Sequence, residues 1–532
     1  MEKTRFCAML DMSRDGVMLP EKVKEYIDYI AALGYNSLML YTEDTYEVKD
    51  EKLFGFLRGA YTAAEIKDID AYADKKGVEL IPCIQTLAHL NGIFRYGEYA
   101  RICDTKDILL IGDERTYTLI ENMFRTLKEE FKSRTVHIGM DEANMVGRGK
   151  YADLHGFQDI YGVMIEHLVR VAEIAKKYGF ETLMWSDMFL RVVNGGEYYA
   201  DNPVTEKIAA DMPDNVVPVY WDYYHKEEAE YEKYFGLHDK FKDVWFAGGT
   251  WSWSGFVPNL RLALKTTQSA MRVCRKRGVK NIIMTVWGDN GKECSYYTAL
   301  PVLYYAKQVY EGNEDIELIK RGFNLATGED FDAFMALELP NKCNKEDELL
   351  ENQSKYMLYN DPFLGAFDTA VRGNEYDFYT DAAKKLGEYG KKSKSFGYLF
   401  EFEKKLCNAL AIKYALGADA RKNYRAKDKD GLRKTAEDFG KALDALRGFY
   451  DEFASLWERE NKPNGFEVHI IRLGGLMERL KFCKEKIEEY LKGEIDRIPE
   501  LENELIDAFG LKDRTTGFVY NSWILNATAN VL

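Results

Sequence analysis

The run Thr135-Val136-His137-Ile138-Gly139-Met140-Asp141-Glu142 is a β-branched, strand-forming segment that ends in two adjacent carboxylates. An unpaired charge buried in a sheet costs on the order of several kcal/mol, so consecutive acids at a strand terminus imply that the strand opens into a pocket. Adjacent carboxylic acids also suit proton chemistry, because each ionised group makes its neighbour harder to ionise. Helix capping is the structural alternative, since acids favour helix N-termini. Against capping, the next helix read from the pattern begins near Gly156. Before it lies a Gly- and Arg-containing loop at 145–150, of the kind that lines a substrate site.

These acids need a frame. From residue 5 to about 310, short apolar strands alternate eight times with amphipathic helical segments. Strands are predicted over 6–13, 36–43, 79–86, 135–142, 181–189, 216–223, 244–253 and 281–289. The clearest helices are predicted over 20–33, 63–76, 117–131, 162–177, 262–276 and 298–309. This pattern is that of an α/β protein with a (β/α)8 TIM barrel, expected over residues 1–325. Residues 326–532 carry only helical patterns and are expected to form a C-terminal α-helical domain whose apolar stripes are bundle core; a homodimer is one role open to it.

In a TIM barrel the chemistry collects at the C-terminal ends of the strands. In chain order those ends read Asp11 to Arg14, Tyr41-Thr42-Glu43-Asp44, Gln85 to His89, Asp141-Glu142, Trp185-Ser186-Asp187, Trp221-Asp222-Tyr223-Tyr224, Trp251-Ser252-Trp253 and Trp287-Gly288-Asp289. Five of the eight tryptophans fall there, and an indole face is a good platform for the C–H surface of a pyranose. A single one of these residues would be ordinary core or surface. The constellation points to carbohydrate.

Composition narrows the class further. The 532 residues are 46% hydrophobic, enough for two folded domains, and the net charge of −15 argues against nucleic acid or an anionic membrane as partner. The densest basic cluster, Lys391-Lys392-Ser393-Lys394, lies in an acid-rich helical half and reads as a solvated face. Eight cysteines without a CxxC and seven histidines without an HxH or HxxxH pair give no metal site, and no cofactor is expected. The chain enters a strand within a few residues of Met1, with no apolar leader and no stretch of ~18–20 apolar residues, so a cytoplasmic protein is expected.

The segment His137-Ile-Gly139-Met-Asp141-Glu142 resembles the His-x-Gly-x-Asp-Glu pattern on the fourth barrel strand of glycoside hydrolase family 20, the β-N-acetylhexosaminidases. Arg14 after the first strand and Trp287-Gly288-Asp289 after the eighth fit the same family, and the helical half is similar to that of its bacterial branch acting on short glycans. The resemblance implies exo action on a terminal β-linked GlcNAc or GalNAc by a retaining mechanism in which the substrate's 2-acetamido oxygen is the nucleophile. It implies Glu142 as general acid/base, Asp141 on the acetamido N–H, and a relay between His89 and Glu43. Trp185, Trp221 and Trp287 are expected to wall the acetamido pocket, Arg14 and Asp289 to hold the far hydroxyls, and Trp253 to serve as an aglycone platform.

Two departures stand out. The α/β domain that commonly precedes the family's barrel is not seen here. The Tyr-x-Asp expected on the seventh strand is replaced by Gly249-Thr-Trp251-Ser-Trp253; alternation on the sixth strand offers Tyr223 for the acetamido-binding tyrosine, with Tyr220 as runner-up. Two other readings remain open: a barrel glycosidase using Glu142 with a separated carboxylate, Asp187 or Asp222, and an inactive glycan-binding barrel.

Overall fold

The computed structural model describes residues 4–343 and 352–506, together with Trp523 and Thr528. Eight parallel strands close into a barrel in chain order: β1 (Arg5–Asp11), β2 (Ser37–Thr42), β3 (Glu79–Ile84), β4 (Thr135–His137), β5 (Glu181–Trp185), β6 (Val216–Trp221), β7 (Trp245–Gly249) and β8 (Asn281–Val286), with β8 paired back to β1. The expected TIM barrel is thus present. Its strands are almost wholly buried along their length, as a parallel sheet covered on both faces requires. The register sets Asp11 beside Tyr41, Cys83 beside His137, and Trp185 beside Val219, so the strand ends meet at one rim.

Local chemistry explains the helices between strands. Pro20 opens the first, where its missing N–H costs nothing. Thr62 and Glu65 form a reciprocal capping box on helix Ala63–Lys75, and Asp113 and Asp159 cap Glu114–Glu130 and Ile160–Lys177.

All eight strands are shorter than predicted, and three of them end early for reasons visible in the backbone. β4 ends at His137 rather than 142 because Gly139, Met140 and Glu142 take left-handed backbone angles, φ 72°, 67° and 52°, that no extended strand accommodates. β5 stops at Trp185 and turns at Ser186 into helix Asp187–Val193. β7 ends at Gly249, ahead of Trp251 at φ 56°. The helix expected near Gly156 is preceded by a shorter one, Lys150–His155, whose N-cap is Gly149.

Contacts divide the chain into two units. The first comprises Met1–Thr250, Ala263–Trp287 and Val302–Ile319; the second comprises Trp251–Leu262, Gly288–Pro301 and Lys320–Leu532. The described part of the second unit is dominated by helices, the longest being Lys429–Glu460 and Phe466–Lys492. Its core is aromatic, with Phe256, Phe402, Phe449, Phe453 and Trp457 in edge and tilted contacts. Within this unit the segment 288–301 is tied to the helices by buried charge. Glu293 pairs with Lys355 at 2.6 Å, both side chains fully buried, and Ser295 donates to Glu460 at 2.6 Å. Removing one member of such a buried pair strands the other, at a cost of about 3–5 kcal/mol.

Candidate active site

The site of the first unit is built from strand ends. Asp11 closes β1 and is fully buried; its carboxylate accepts the Ser13 N–H and hydroxyl and pairs with Arg14 Nη1 at 2.9 Å. That anchor leaves Arg14 Nη2 3.2 Å from Glu43, with the guanidinium lying 5.4 Å over the Tyr41 ring and 5.5 Å over Trp287. Glu43 also accepts the Tyr41 hydroxyl at 3.1 Å; burial raises its carboxyl above the usual range, opposed by the charges on Arg14 and His89.

Gln85, just beyond β3, is the residue on which the acid pair is hung. Its Oε1 accepts the Met140 N–H at 3.1 Å, which turns its NH2 toward Asp141 Oδ1 (2.8 Å) and the Tyr41 hydroxyl (3.0 Å). This explains Gly139. A Cβ there would sit 2.0 Å from Gln85 Oε1, and the backbone is already at φ 72°. Gln85 cannot swing away without giving up Met140 and Asp141. Gly139→Ala is therefore expected to cost about 1–3 kcal/mol of stability and to lower activity further by displacing Asp141. Thermal unfolding and kcat measured on the same preparation check both effects; a variant unchanged in each would refute this account of the glycine.

The other oxygen of Asp141, Oδ2, lies 3.3 Å from His89 Nε2. Burial would raise Asp141, but the His89 charge beside it and the hydrogen bond from Gln85 outweigh it and hold the carboxyl at about 2. His89 is penalised by burial and compensated by Asp141, and is raised to about 10. Glu142 follows at φ 52° and donates its backbone N–H to Asp187 Oδ2 at 3.0 Å. Its side chain is 48% exposed, with Oε2 3.7 Å from His89 Nε2. Burial of the carboxyl, then the charges on Asp141 and Asp187, raise it to about 7 against the pull of His89 and Arg191. Two neighbouring acids are thereby pushed in opposite directions, which is how a site assigns one to be ionised and the other to carry a proton.

Aromatic rings line the neighbouring strand ends. Trp185 and Trp287 lie 6.2 Å apart, Tyr41 meets Trp287 edge-on at 4.8 Å, and Tyr223 stacks on Trp221 at 5.3 Å while accepting Trp287 Nε1–H at 3.2 Å. Tyr220, the runner-up, points the other way: it packs on Phe235 and His238 and donates to Asp222 at 2.7 Å. Below the acids, His137 Nδ1 accepts the Gly139 N–H and its ring packs 4.3 Å from Trp185; burial lowers it to about 3, so it is neutral.

The structure thus brings together Arg14, Glu43, His89, Asp141, Glu142, Trp185, Trp221, Tyr223 and Trp287. Trp253 and Asp289 belong to the second unit, where Trp253 is buried and stacks on Trp251 at 4.7 Å. As expected, neither acid caps a helix, since the next one starts from Gly149. One expectation changes. The His89–Glu43 relay gives way to His89 paired with Asp141, because Tyr41 and Arg14 engage Glu43. Of the two candidate second carboxylates, both are buried; Asp222 is bonded to Tyr220, His225 and two backbone N–H groups, and Asp187 is bonded through Oδ2 alone. The sequence reading missed Gln85 as a site residue, although it stands at a strand end. The ligand atoms of His89, Asp141 and Glu142 lie within 4.8 Å of one another, a spacing a metal ion could use only in competition with the proton that Asp141 holds on His89.

The sequence profile of "Glycosyl hydrolase family 20, catalytic domain" matches residues 7–234, and that of "Glycoside Hydrolase 20C C-terminal domain" matches 330–519. The chain is similar to Hexosaminidase D of Homo sapiens, 26% identical over 216 residues, covering 38% of this chain and 42% of that protein. It is similar to Hexosaminidase D of Bos taurus, 26% identical over 292 residues, covering 50% and 81%. Among solved structures, a β-N-acetylhexosaminidase from Bacteroides fragilis aligns at 17% identity and a TM-score of 0.43, over 58% of this chain and 65% of that one. The alignment with the human relative therefore spans less than half of that protein's length. With one profile on the barrel and a second, from the same family, on the helical region, this chain belongs to glycosyl hydrolase family 20.

Proposed function

We propose that the protein is an exo-acting β-N-acetylhexosaminidase that releases terminal β-linked GlcNAc or GalNAc by a retaining, substrate-assisted mechanism. The observation that carries this is the split acid pair: Asp141 held ionised by Gln85 and His89, and Glu142 held protonated toward neutrality. Glu142 donates a proton to the glycosidic oxygen as the 2-acetamido carbonyl oxygen attacks the anomeric carbon. The aglycone leaves with that proton, and the sugar is left as a bicyclic oxazolinium. Asp141 accepts the acetamido N–H and stabilises the positive charge developing there. Glu142, now ionised, takes a proton from water, which adds to the anomeric carbon, reopens the ring and restores the acetamido group.

The rings of Trp185, Trp221, Tyr223 and Trp287 are assigned to the acetamido group, which they press toward the anomeric carbon so that attack is intramolecular. Arg14, with Glu43 behind it, is assigned to the far hydroxyls. Asp289 and Trp253 enter this proposal from the sequence motif alone. The division into a catalytic part over 1–325 and a helical part over 326–532 belongs to the same reading. So does a cytoplasmic location, supported by eight unpaired thiols; no described helix is long and apolar enough to cross a membrane.

The test is a substrate pair. Aryl β-GlcNAc or β-GalNAc should be hydrolysed while the matching β-glucoside, which lacks the acetamido nucleophile, is left essentially untouched, and a thiazoline analogue of the oxazolinium should inhibit competitively. Comparable rates on both glycosides, or a glycosyl ester trapped on Asp187 or Asp222, would return the reaction to the two-carboxylate class.

A further inference from the structure

The proposed chemistry gives Asp187 no part, yet it is fully buried directly beside the acid. It opens helix Asp187–Val193 at the end of β5, and its Oδ2 accepts both the Glu142 backbone N–H at 3.0 Å and Arg191 Nε at 3.1 Å, one helical turn on. Its second oxygen, Oδ1, is buried with no hydrogen-bond partner among the described residues. Arg191 is itself fixed: Nη1 donates to the Gly196 carbonyl at 3.0 Å, and the guanidinium lies 5.8 Å over the Tyr198 ring. Burying a carboxylate with one oxygen left unpartnered is costly unless the contacts of the other oxygen matter. Glu142 sits at φ 52°, a conformation a non-glycine residue keeps only when its surroundings impose it.

We infer that Asp187, with Arg191 as its counter-ion, is the positioning residue of the general acid: it pins the backbone of Glu142 in the left-handed conformation that aims the carboxyl group at the glycosidic oxygen. This rests on the assignment of Glu142 as the acid. The clamp also acts through charge. The charged groups acting on the Glu142 carboxyl are Asp141, Asp187, His89 and Arg191; the two acids favour its protonated form and the two cations oppose it. Arg191 makes a nearby buried carboxylate tolerable, and Asp187 returns part of that charge to Glu142 as a raised affinity for its proton.

The experiment compares Asp187→Ala, Asp187→Asn and Arg191→Met in the full chain, with aryl β-N-acetylglucosaminides of graded leaving-group ability. Asp187→Ala removes the acceptor and should lower kcat about 10²-fold, the scale of a misplaced catalytic group, with KM changed less than about three-fold. Asp187→Asn keeps an acceptor and should recover most of that loss. Removing the negative charge should also move the basic limb of its pH profile down by about one unit, whereas Arg191→Met, which removes a positive charge, should move it up. Folded variants with wild-type kcat and an unmoved limb, or a loss confined to KM, would overturn the inference. So would a glycosyl azide formed by Asp187→Ala with azide, since that would make Asp187 a nucleophile. If Asp187→Ala does not fold, the opposed shifts of the other two variants decide. If the wild type cleaves no N-acetylhexosaminide, the functional reading fails. The clamp is then read without turnover, by infrared titration of the Glu142 carboxyl with Glu142→Gln as blank: the midpoint should fall in Asp187→Asn, and an unshifted midpoint overturns it.

Discussion

Glu142→Gln is expected to lower kcat/KM on N-acetylhexosaminides with poor leaving groups by about 10³-fold, within the range supplied by a positioned general acid. On dinitrophenyl glycosides, whose leaving group departs without a proton, the loss should be far smaller. The side chain reaches the surface, so the amide should fold as the acid does. The pH profile gives the same test a second axis. Because burial and its acidic neighbours raise Glu142 to about 7, the proton it must donate is present below that pH and lost above it. Wild-type kcat/KM should therefore fall as pH rises through about 7, and Glu142→Gln should show no such limb. Equal losses on good and poor leaving groups would remove Glu142 from the acid role.

Asp141→Asn carries the other large effect. Asp141 is held at about 2, so it is ionised near neutral pH, and in the proposed mechanism its charge faces the acetamido nitrogen as that nitrogen becomes positive. Replacing that charge with a neutral amide should cut turnover on N-acetylhexosaminides by about 10² or more, the scale of a lost preorganised electrostatic contact. The loss should fall on kcat rather than KM, because the charge it meets exists only once attack has begun. His89 loses its anion in the same variant and should titrate far below its wild-type value of about 10, which an NMR titration of its ring would read. Thermal unfolding must be followed in parallel. An amide variant with undiminished kcat would leave Asp141 a structural acid.

Much of this site was legible without coordinates because barrel topology turns sequence position into spatial position. Once eight alternating strands and helices are read, every strand terminus points to one rim, and residues as distant as Arg14 and Trp287 must meet there; in the structure the guanidinium lies 5.5 Å over that indole. The choice of Tyr223 over Tyr220 came the same way, from two-residue alternation, and the hydrogen bond from Trp287 Nε1 places Tyr223 among the site's rings. Asp141-Glu142 was conspicuous because charge at the end of a buried strand demands a reason.

What alternation does not describe was decided by tertiary contacts. The reading carried β4 on to residue 142, but extended periodicity fails where the backbone turns left-handed at Gly139, Met140 and Glu142. That turn, more than the strand, sets the directions of the two carboxylates. Which of them is ionised is likewise invisible in sequence, since a pKa depends on distances. His89 lies within reach of both acids but nearer Asp141, Gln85 reaches Asp141, and Asp187 meets only the backbone of Glu142. The sequence by itself determined the barrel, the rim and the identity of the acid pair, because periodicity and residue type are properties of the chain. Only the tertiary structure shows what pushes Asp141 toward its ionised form and Glu142 toward its protonated one, because that difference arises from side chains about fifty residues away, brought within about 3 Å by folding.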